Sequence, residues 1–363
     1  MRKKIIGFLR FGITAILNVC ALAMIGNVQG QSITDGSTPS GIAPGSPAGS
    51  YALSDFDNVN LFNGHLDVRL KLLNMAGRGG AGMTVGVSLN PEPWVVKGTG
   101  VTHDWWSLKP GYGPGVMQVR RIGVPFSGAG QTCSQDSLFH YRWTRTAVTF
   151  KASDGTEFEL WDKQSGGPWK DAGTNYCSTG FSRGTEFVTA DGTSATFVSD
   201  AVITDRNRFF TNTEQILFPT GNLILKNGTR YRIVNGLVDS ITDRNGKLIT
   251  FTYGLNAADP LTYRKVLTIT DSLKRVVSFQ YAANSDVINF KGFNGAARTI
   301  TINRNSLSNA LRADFVSLGV KKPSELFPGI TPVANEQVYN PSVITSITLP
   351  NGRTYAVRYI SIC

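Results

Sequence analysis

Residues 237–254 read LVDSITDRNGKLITFTYG, and residues 266–282 read VLTITDSLKRVVSFQYA. Laid over one another, Thr242-Asp243 falls on Thr270-Asp271, Lys247 on Arg275, Phe251 on Phe279 and Tyr253 on Tyr281. A third stretch, SVITSITLPNGRTYAVRYIS from Ser342, puts Thr348, Asn351-Gly352, Arg353 and Tyr359 on the same frame, with Leu349 where the others carry aspartate. After the turn, Ile249, Phe251 and Tyr253 alternate with Leu248, Thr250 and Thr252; Val277, Phe279 and Tyr281 alternate with Val276, Ser278 and Gln280. Successive strand residues point to opposite faces, so each copy carries one apolar and one mostly polar face. Before the turn, Val238, Val266 and Ile344 share one position, and Ile241, Ile269 and Ile347 share another three residues on. Asn245-Gly246 and Asn351-Gly352 are expected to supply the positive φ angles of a tight turn. Each copy is therefore a β-hairpin, marginal alone, and burial of its apolar face requires the copies to stack edge to edge. The expected fold class is all-β: successive hairpins forming a curved sheet or partial β-shell. One short helix is expected near residues 306–316, where Leu307 and Leu311 stand four apart and Pro323 and Pro328 follow.

The pattern Ile-Thr-Asp, a turn, Lys or Arg, then Phe-x-Tyr resembles the YD repeats of Rhs-type bacterial proteins and their animal relatives, the teneurins. The resemblance extends to Gly49-Ser50-Tyr51, the Asn63-Gly64 turn, the glycine-rich stretch from Gly77 to Gly82, Lys291 to Gly295, and Pro341 to Tyr359. Together these are similar to the amino-terminal portion of long secreted Rhs-repeat proteins. The resemblance implies repeats that spiral into a hollow β-shell, often closed by a protease-like core and followed by a variable, sometimes toxic, domain. Neither later part is visible in this sequence. The repeat-defining residues are Thr242, Asp243, Gly246, Phe251, Tyr253, Thr270, Asp271, Arg275, Phe279, Tyr281, Gly352, Arg353 and Tyr359, and all read as structural. Further repeats encoded beyond Cys363 are an expectation of the resemblance. On that reading the strand from Thr354 to Ile360 is an edge open to association.

Along the chain, residues 1–30 carry Arg2, Lys3, Lys4 and Arg10 before an apolar run from Phe11 to Gly26. Val28 and Gly30 suit the −3 and −1 sites of a signal peptidase, so a signal peptide cleaved after Gly30 is expected, leaving no stable membrane span. Residues 31–50 hold five Ser, four Gly and three Pro, a linker composition. An amino-terminal β domain is expected over 51–205, and the repeat region over 206–363. Leu66, Val68, Leu70 and Leu72 alternate with His65, Asp67, Arg69 and Lys71, a strict period of two.

At 41% hydrophobic and 17% charged, the chain can bury a sizeable core. Its formal net charge is +11, of which +7 remains without the leader's four basic residues. On an exported protein this favours anionic surface polymers over nucleic acid, for which a basic stripe interleaved with aromatics is missing. Cys133 and Cys177 flank an insertion in an oxidising compartment, so a disulfide between them is expected, contributing about 3–4 kcal/mol in the chain-entropy picture. No CxxC or nearby His pair marks a zinc site, and no cofactor is expected. Cys363 is the odd cysteine.

Candidate chemistry is thin. Gly77 to Gly82 matches GxGxxG by spacing, but charged Asp67, Arg69 and Lys71 precede it and a period-two strand follows, so it reads as a turn rather than a dinucleotide loop. His65, His103 and His140 share no metal spacing and read as surface or packed residues. Asp259-Pro260 is similar to the Asp-Pro step of the family's self-cleaving core, yet lacks its following glycine, so that role is not carried over. Asp243 and Asp271 read as turn caps. Trp94, Trp105 and Trp106, with Tyr112, are the candidates for stacking on sugar rings, and Trp143, Trp161 and Trp169 lie in the insertion.

Two functions follow from different classes. The first is a non-catalytic secreted or cell-surface Rhs/YD-repeat scaffold engaged in surface interaction with an unknown protein or surface polysaccharide. The second is a carbohydrate-binding module that uses exposed tryptophans. A part of a larger secreted toxin-delivery protein ranks below both, and no residues stand out for an enzyme. Amino-terminal sequencing of the exported chain is expected to begin at Gln31; recovery of the intact Met1 start from outside the cell contradicts the cleaved-leader reading.

Overall fold

The computed structural model describes residues 50–52, 57–60, 66–76, 82–89, 95–97, 100–102, 108–126, 132–152, 157–177, 180–189, 194–205, 214–314, 319–326 and 336–360. These form an all-β protein. A first antiparallel sheet has the order β1 (Ser50–Ala52), β2 (Asp57–Asn60), β3 (Leu66–Ala76), β4 (Gly82–Leu89) and β7 (Leu108–Gly111). Two short strands, β5 (Val95–Lys97) and β6 (Gly100–Thr102), pair only with each other. The period-two stretches expected at Leu66 and Met83 are β3 and β4, paired through Met75 opposite Met83.

The second sheet begins as a ring. Its strands are β8 (Gly115–Pro125), β9 (Tyr141–Ala152), β10 (Glu157–Asp162), β11 (Lys170–Asp171), β12 (Ser182–Thr189), β13 (Thr196–Thr204), β14 (Glu214–Leu217), β15 (Gly221–Ile224), β16 (Arg230–Val234) and β17 (Leu237–Thr242). Antiparallel pairing runs β8–β9–β10–β12–β13–β15–β16–β17. The ring closes where Leu237 of β17 pairs with Val116 of β8 and the Met117 amide donates to the Gly236 carbonyl at 2.8 Å. β14 takes the neighbouring part of the same β8 edge, with Leu217 opposite Val119. Across residue 205, where the sequence suggests a soft boundary, β13 pairs with β15.

β17 belongs to two surfaces at once. Its first residue closes the ring, while Ser240, Ile241 and Thr242 pair with the next strand. From there the sheet continues as a meander: β18 (Leu248–Tyr253), β19 (Val266–Thr270), β20 (Val276–Tyr281), β21 (Ser285–Lys291), β22 (Ala297–Ser306), β23 (Ser342–Thr348) and β24 (Thr354–Ala356). The inward residues of ring and meander join one apolar cluster, which includes Met117, Phe150, Phe187, Leu223, Ile241, Phe251, Phe279, Ile302 and Ile347. Met75, Met83, Val85 and Val87 of the first sheet belong to the same cluster, so that sheet covers the apolar face of the second.

The repeat turns share one geometry. In each, the first residue's amide donates to the carbonyl four residues on, and the fourth residue's amide donates back to the first residue's carbonyl. This holds for Asp243–Lys247, Asp271–Arg275 and Leu349–Arg353, and also for the turn Leu225–Thr229 between β15 and β16, ahead of the first copy. The fourth residue lies in the left-handed region: Gly228 at φ 83°, Gly246 at 75°, Lys274 at 62° and Gly352 at 79°. Asn245 and Asn351 are not left-handed. The turn is thus a three-residue loop closed by a bulge, rather than a two-residue turn with both central φ angles positive. Asp243 Oδ1 accepts from the Asn245 and Lys247 amides, both at 2.8 Å, and Asp271 Oδ1 from Leu273 and Arg275, both at 2.9 Å. Arg275 also pairs with Asp271 at 2.6 Å. In the third copy Asn351 Oδ1 accepts the Arg353 amide at 3.1 Å, taking over part of the missing aspartate's work.

A second interaction repeats with the same period. Tyr253 donates its hydroxyl to the Val238 carbonyl at 2.7 Å, Tyr281 to Val266 at 2.6 Å, and Tyr359 to Ile344 at 3.0 Å. Each bond ties the end of a hairpin to the carbonyl fifteen residues earlier, at its start. Burial, followed by the Asp239 carboxylate, pushes the Tyr253 hydroxyl far above the ordinary phenol range, and burial followed by Asp286 does so for Tyr281. Both hydroxyls therefore remain donors throughout the physiological range.

The expected helix is shorter than its sequence window. α1 (Leu307–Ala310) makes one turn before Leu311 leaves it at ψ 147° to form a parallel bridge with Tyr359. Leu307, Ala310, Leu311 and Val343 form a small second core against Val320 and Tyr359, so tertiary burial wins over the local helical spacing. A further turn, α2 (Pro323–Leu326), starts at a proline, whose fixed φ suits a first helical position.

Replacing Tyr281 by Phe keeps the ring's tilted contact with Tyr112 and removes only the hydroxyl. We expect a loss of about 1 kcal/mol, within 0.5–1.5, measured by urea denaturation. The same cost is expected for Tyr253→Phe, and stability unchanged in both would contradict the tyrosine bond's role.

Candidate functional site

Three groupings of polar and aromatic side chains stand out. The first is an enclosed charge network within the ring. Arg183 is the extra residue of a bulge in β12, beside Gly184 at φ 74°, and its side chain is wholly buried. Its guanidinium grips Asp205 with two bonds, Nε to Oδ1 at 2.7 Å and Nη2 to Oδ2 at 2.8 Å. Nη1 reaches Asp162 Oδ2 at 3.2 Å and Ser165 Oγ at 3.1 Å, and Nη2 donates to the Pro168 carbonyl at 3.0 Å. Thr144 and Thr146 of β9 donate their hydroxyls to Asp205 at 2.7 and 2.6 Å. Asp162 also accepts the Ser165 amide at 2.6 Å and the Gly167 amide at 3.2 Å.

One arginine with two carboxylates leaves a buried negative excess, which the hydroxyls and turn amides offset. Burial acts to raise the Asp162 carboxyl, but the Ser165 hydroxyl and amide and then Arg183 outweigh it, and the net shift is downward. Burial likewise opposes the Arg183 charge, yet Asp205 and then Asp162 hold it on and raise its pKa. With Arg183, Asp162 and Asp205 all enclosed, no substrate reaches these carboxylates; the network staples β9, β10, β12 and the end of β13 together.

The second grouping joins the two sheets. Tyr112, just after β7, stacks on Phe279 with ring centroids 5.2 Å apart and lies 6.2 Å from Tyr281. Its hydroxyl donates to Asp286 Oδ2 at 3.0 Å, and Arg304 pairs with the same oxygen. Burial, then the Asp286 charge, raise the Tyr112 hydroxyl above its ordinary range. Asp286 Oδ1 is buried without a hydrogen-bond partner among the described residues. Tyr112, read from sequence with the sugar-stacking aromatics, is instead packed between the sheets.

The third grouping is the insertion. Cys133 and Cys177 are disulfide-bonded, with Cα atoms 4.7 Å apart, the pairing expected from the sequence. Phe126 packs edge-on against Tyr176 at 4.6 Å beside this bridge. Trp143 and Trp169 are 37% and 40% exposed, and Asp171, two residues past Trp169, is the cross-strand partner of Trp143. Trp161 is covered on one side by the Arg145 guanidinium, 4.1 Å from its centroid, and lies against Gly167. Trp94, Trp105 and Trp106 lie outside the described residues, as do His65 and His103. His140 is packed, with Nε2 3.0 Å from Asp136 Oδ2. Asp259 caps its own turn, accepting from the Thr262 hydroxyl at 2.6 Å and the Leu261 amide at 3.1 Å.

Comparison with protein-family models, with curated proteins and with solved structures finds no match to this chain. Among the described residues, no helix is long and apolar enough to cross a membrane.

Sequence reading missed Arg183, Asp162 and Asp205. Each stands near a turn and looks like an ordinary surface charge, and only the fold brings them together.

Replacing Arg183 by Met strands two buried carboxylates and is expected to cost about 3–5 kcal/mol, read as a fall in the urea midpoint. Asp162 is one of the aspartates that make stability depend on pH. Its folded pKa lies below the roughly 3.9 of an unfolded aspartate, so its stabilisation is complete above that value. It is lost as pH falls through the lower folded pKa. Asp162→Asn is expected to flatten the acid limb of the stability profile; a limb of unchanged slope contradicts this.

Proposed function

We propose that this chain is a non-catalytic, exported scaffold of the Rhs/YD-repeat type that works by surface contact. The observation that carries the reading is the threefold tyrosine bond, in which Tyr253, Tyr281 and Tyr359 each close a hairpin onto the carbonyl at its start. A recurring, internally satisfied unit of this kind suits a wall. The outward face of that wall supports the same reading. Thr252, Thr268, Ser278, Asn289 and Thr299 stand opposite one another on successive strands, an uncharged row of hydroxyls and amides. Within it Thr252 and Thr268 share a 2.7 Å hydrogen bond, and Thr299 donates to Asn289 at 3.1 Å. Such a face is suited to broad contact with hydrated, neutral surfaces.

The partly exposed Trp143, with the Arg142 guanidinium 5.5 Å from its ring centroid, and Trp169 favour a second reading, a carbohydrate-binding module, because an exposed indole can stack on a sugar. On that reading Trp105 and Trp106 join them. A role within a larger toxin-delivery protein remains subordinate to both.

Two measurements separate these readings. Protease added to intact producing cells is expected to digest the chain, or the chain is found in the medium; retention inside the cell overturns the exported-scaffold reading. On a glycan array, the module reading expects binding that Trp143→Ala with Trp169→Ala weakens at least about tenfold, near 1.4 kcal/mol. No binding, or binding indifferent to those changes and to Trp105→Ala with Trp106→Ala, removes the module reading.

A further inference from the structure

The turn after residue 132 holds a donor set that the linear spacing conceals. A sulfur of Cys133, a carboxylate oxygen of Asp136 and a ring nitrogen of His140 all lie within 4.8 Å of one another. Cys133 and His140 are buried, at 1% and 4% exposure, while Asp136 is partly open. The loop is held in shape by its own backbone: Cys133 donates to the Leu138 carbonyl at 2.9 Å, and Ser137 donates back to the Cys133 carbonyl at 2.8 Å. Asp136 Oδ1 accepts the Leu138 amide at 3.0 Å, which fixes the carboxylate toward the ring.

A separate observation concerns the sulfur itself. The Gln135 amide donates to Cys133 Sγ at 3.3 Å. The sulfur is here half of the disulfide; once that bond is opened, the same amide is placed to donate to a thiolate, the form that binds metals. Cysteine sulfur, imidazole nitrogen and carboxylate oxygen are together the donor set of a tetrahedral Zn²⁺ site, with three protein ligands and one position for water.

We infer that Cys133, Asp136 and His140 form a binding site for Zn²⁺ or a similar divalent ion, which the Cys133–Cys177 disulfide holds closed. A dithiol or phosphine reductant delivers two electrons to the S–S bond. With a dithiol the two protons come from the reductant, which becomes a disulfide; with a phosphine, water supplies both protons and the oxygen of the phosphine oxide. Either way Cys133 and Cys177 become thiols. The metal then displaces the Cys133 thiol proton and takes the place of the hydrogen bond between His140 Nε2 and Asp136, atoms now 3.0 Å apart. Two ligands each about 2.0–2.1 Å from zinc span a similar separation, so His140 and Asp136 stay nearly in place and the sulfur moves in. Oxidation and metal binding compete for one sulfur atom, so each excludes the other.

The test uses the mature chain with Cys363→Ser, to remove the other thiol, and Co²⁺ as a spectroscopic stand-in for Zn²⁺. The oxidised protein is expected to give no thiolate-to-cobalt charge-transfer band. The phosphine-reduced protein, and a Cys177→Ser variant without reductant, are each expected to give that band with one equivalent bound. His140→Ala and Asp136→Asn, in the Cys177→Ser background, are each expected to weaken binding at least about tenfold. Absence of the band in both open forms overturns the proposal, as does an affinity indifferent to both ligand changes. Near-ultraviolet circular dichroism follows the fold throughout. Where opening the disulfide unfolds the chain, equimolar Zn²⁺ is expected to restore the native signal by binding only the folded state; failure to restore it overturns the proposal as well.

Discussion

The hydroxyl of a repeat tyrosine bonded to the carbonyl fifteen residues before it is the constraint on which the rest of the sheet depends. A β-hairpin alone has one apolar face and two open edges, and is marginal in water. The tyrosine fixes where the hairpin ends relative to where it begins, and so fixes register. Register in turn decides which face is buried, because a slip of one residue exchanges the two faces. With Tyr253 and Tyr281 in place, Ile249, Phe251, Val277 and Phe279 point inward together and the threonines of the opposite parity point outward. The turn works with the tyrosine. Asp243 and Asp271 cap the loop amides, and a left-handed fourth residue closes the bulge.

Around this repeat the chain builds two closures of a different kind. The ring shuts where Leu237 pairs with Val116 and the Met117 amide meets the Gly236 carbonyl, at the strand from which the repeat meander departs, with β14 along the next part of the same β8 edge. Its far side is pinned by Arg183, Asp162 and Asp205, a network whose value lies in complete satisfaction. A buried ion pair contributes little over a packed apolar group, but breaking one is severe. Between the sheets, Tyr112 meets Phe279 and Asp286, so the first sheet is seated on the second repeat by both stacking and a hydrogen bond. The ring, the meander and the covering sheet thus share one core.

Much of this architecture is legible in the sequence, and the limits have physical reasons. The period-two alternation after each turn, and the recurrence of Ile241 and Tyr253 at Ile269 and Tyr281, give hairpins and their inward faces, because both signals are local. The disulfide is legible because only two cysteines flank the insertion. The turn type is less so: Asn245-Gly246 looks like a two-residue turn, and only the backbone shows that Gly246 alone is left-handed. Arg183 is illegible because its partners lie 21 and 22 residues away on other strands. Asp286 with Tyr112 is hidden for the same reason, across 174 residues. His140 and Cys133 carry no recognised metal spacing, and their proximity depends on how the loop from Cys133 to His140 folds back.

The repeat hairpins share one apolar cluster with the ring, so the two should unfold as one cooperative wall. Amide hydrogen exchange on the intact chain, resolved by strand, tests it most directly. Strands β16 to β23 are expected to open together, with a common free energy shared with β8 and β9. Exchange in which the hairpins β17–β18 and β19–β20 open independently, each with its own lower free energy, would contradict it.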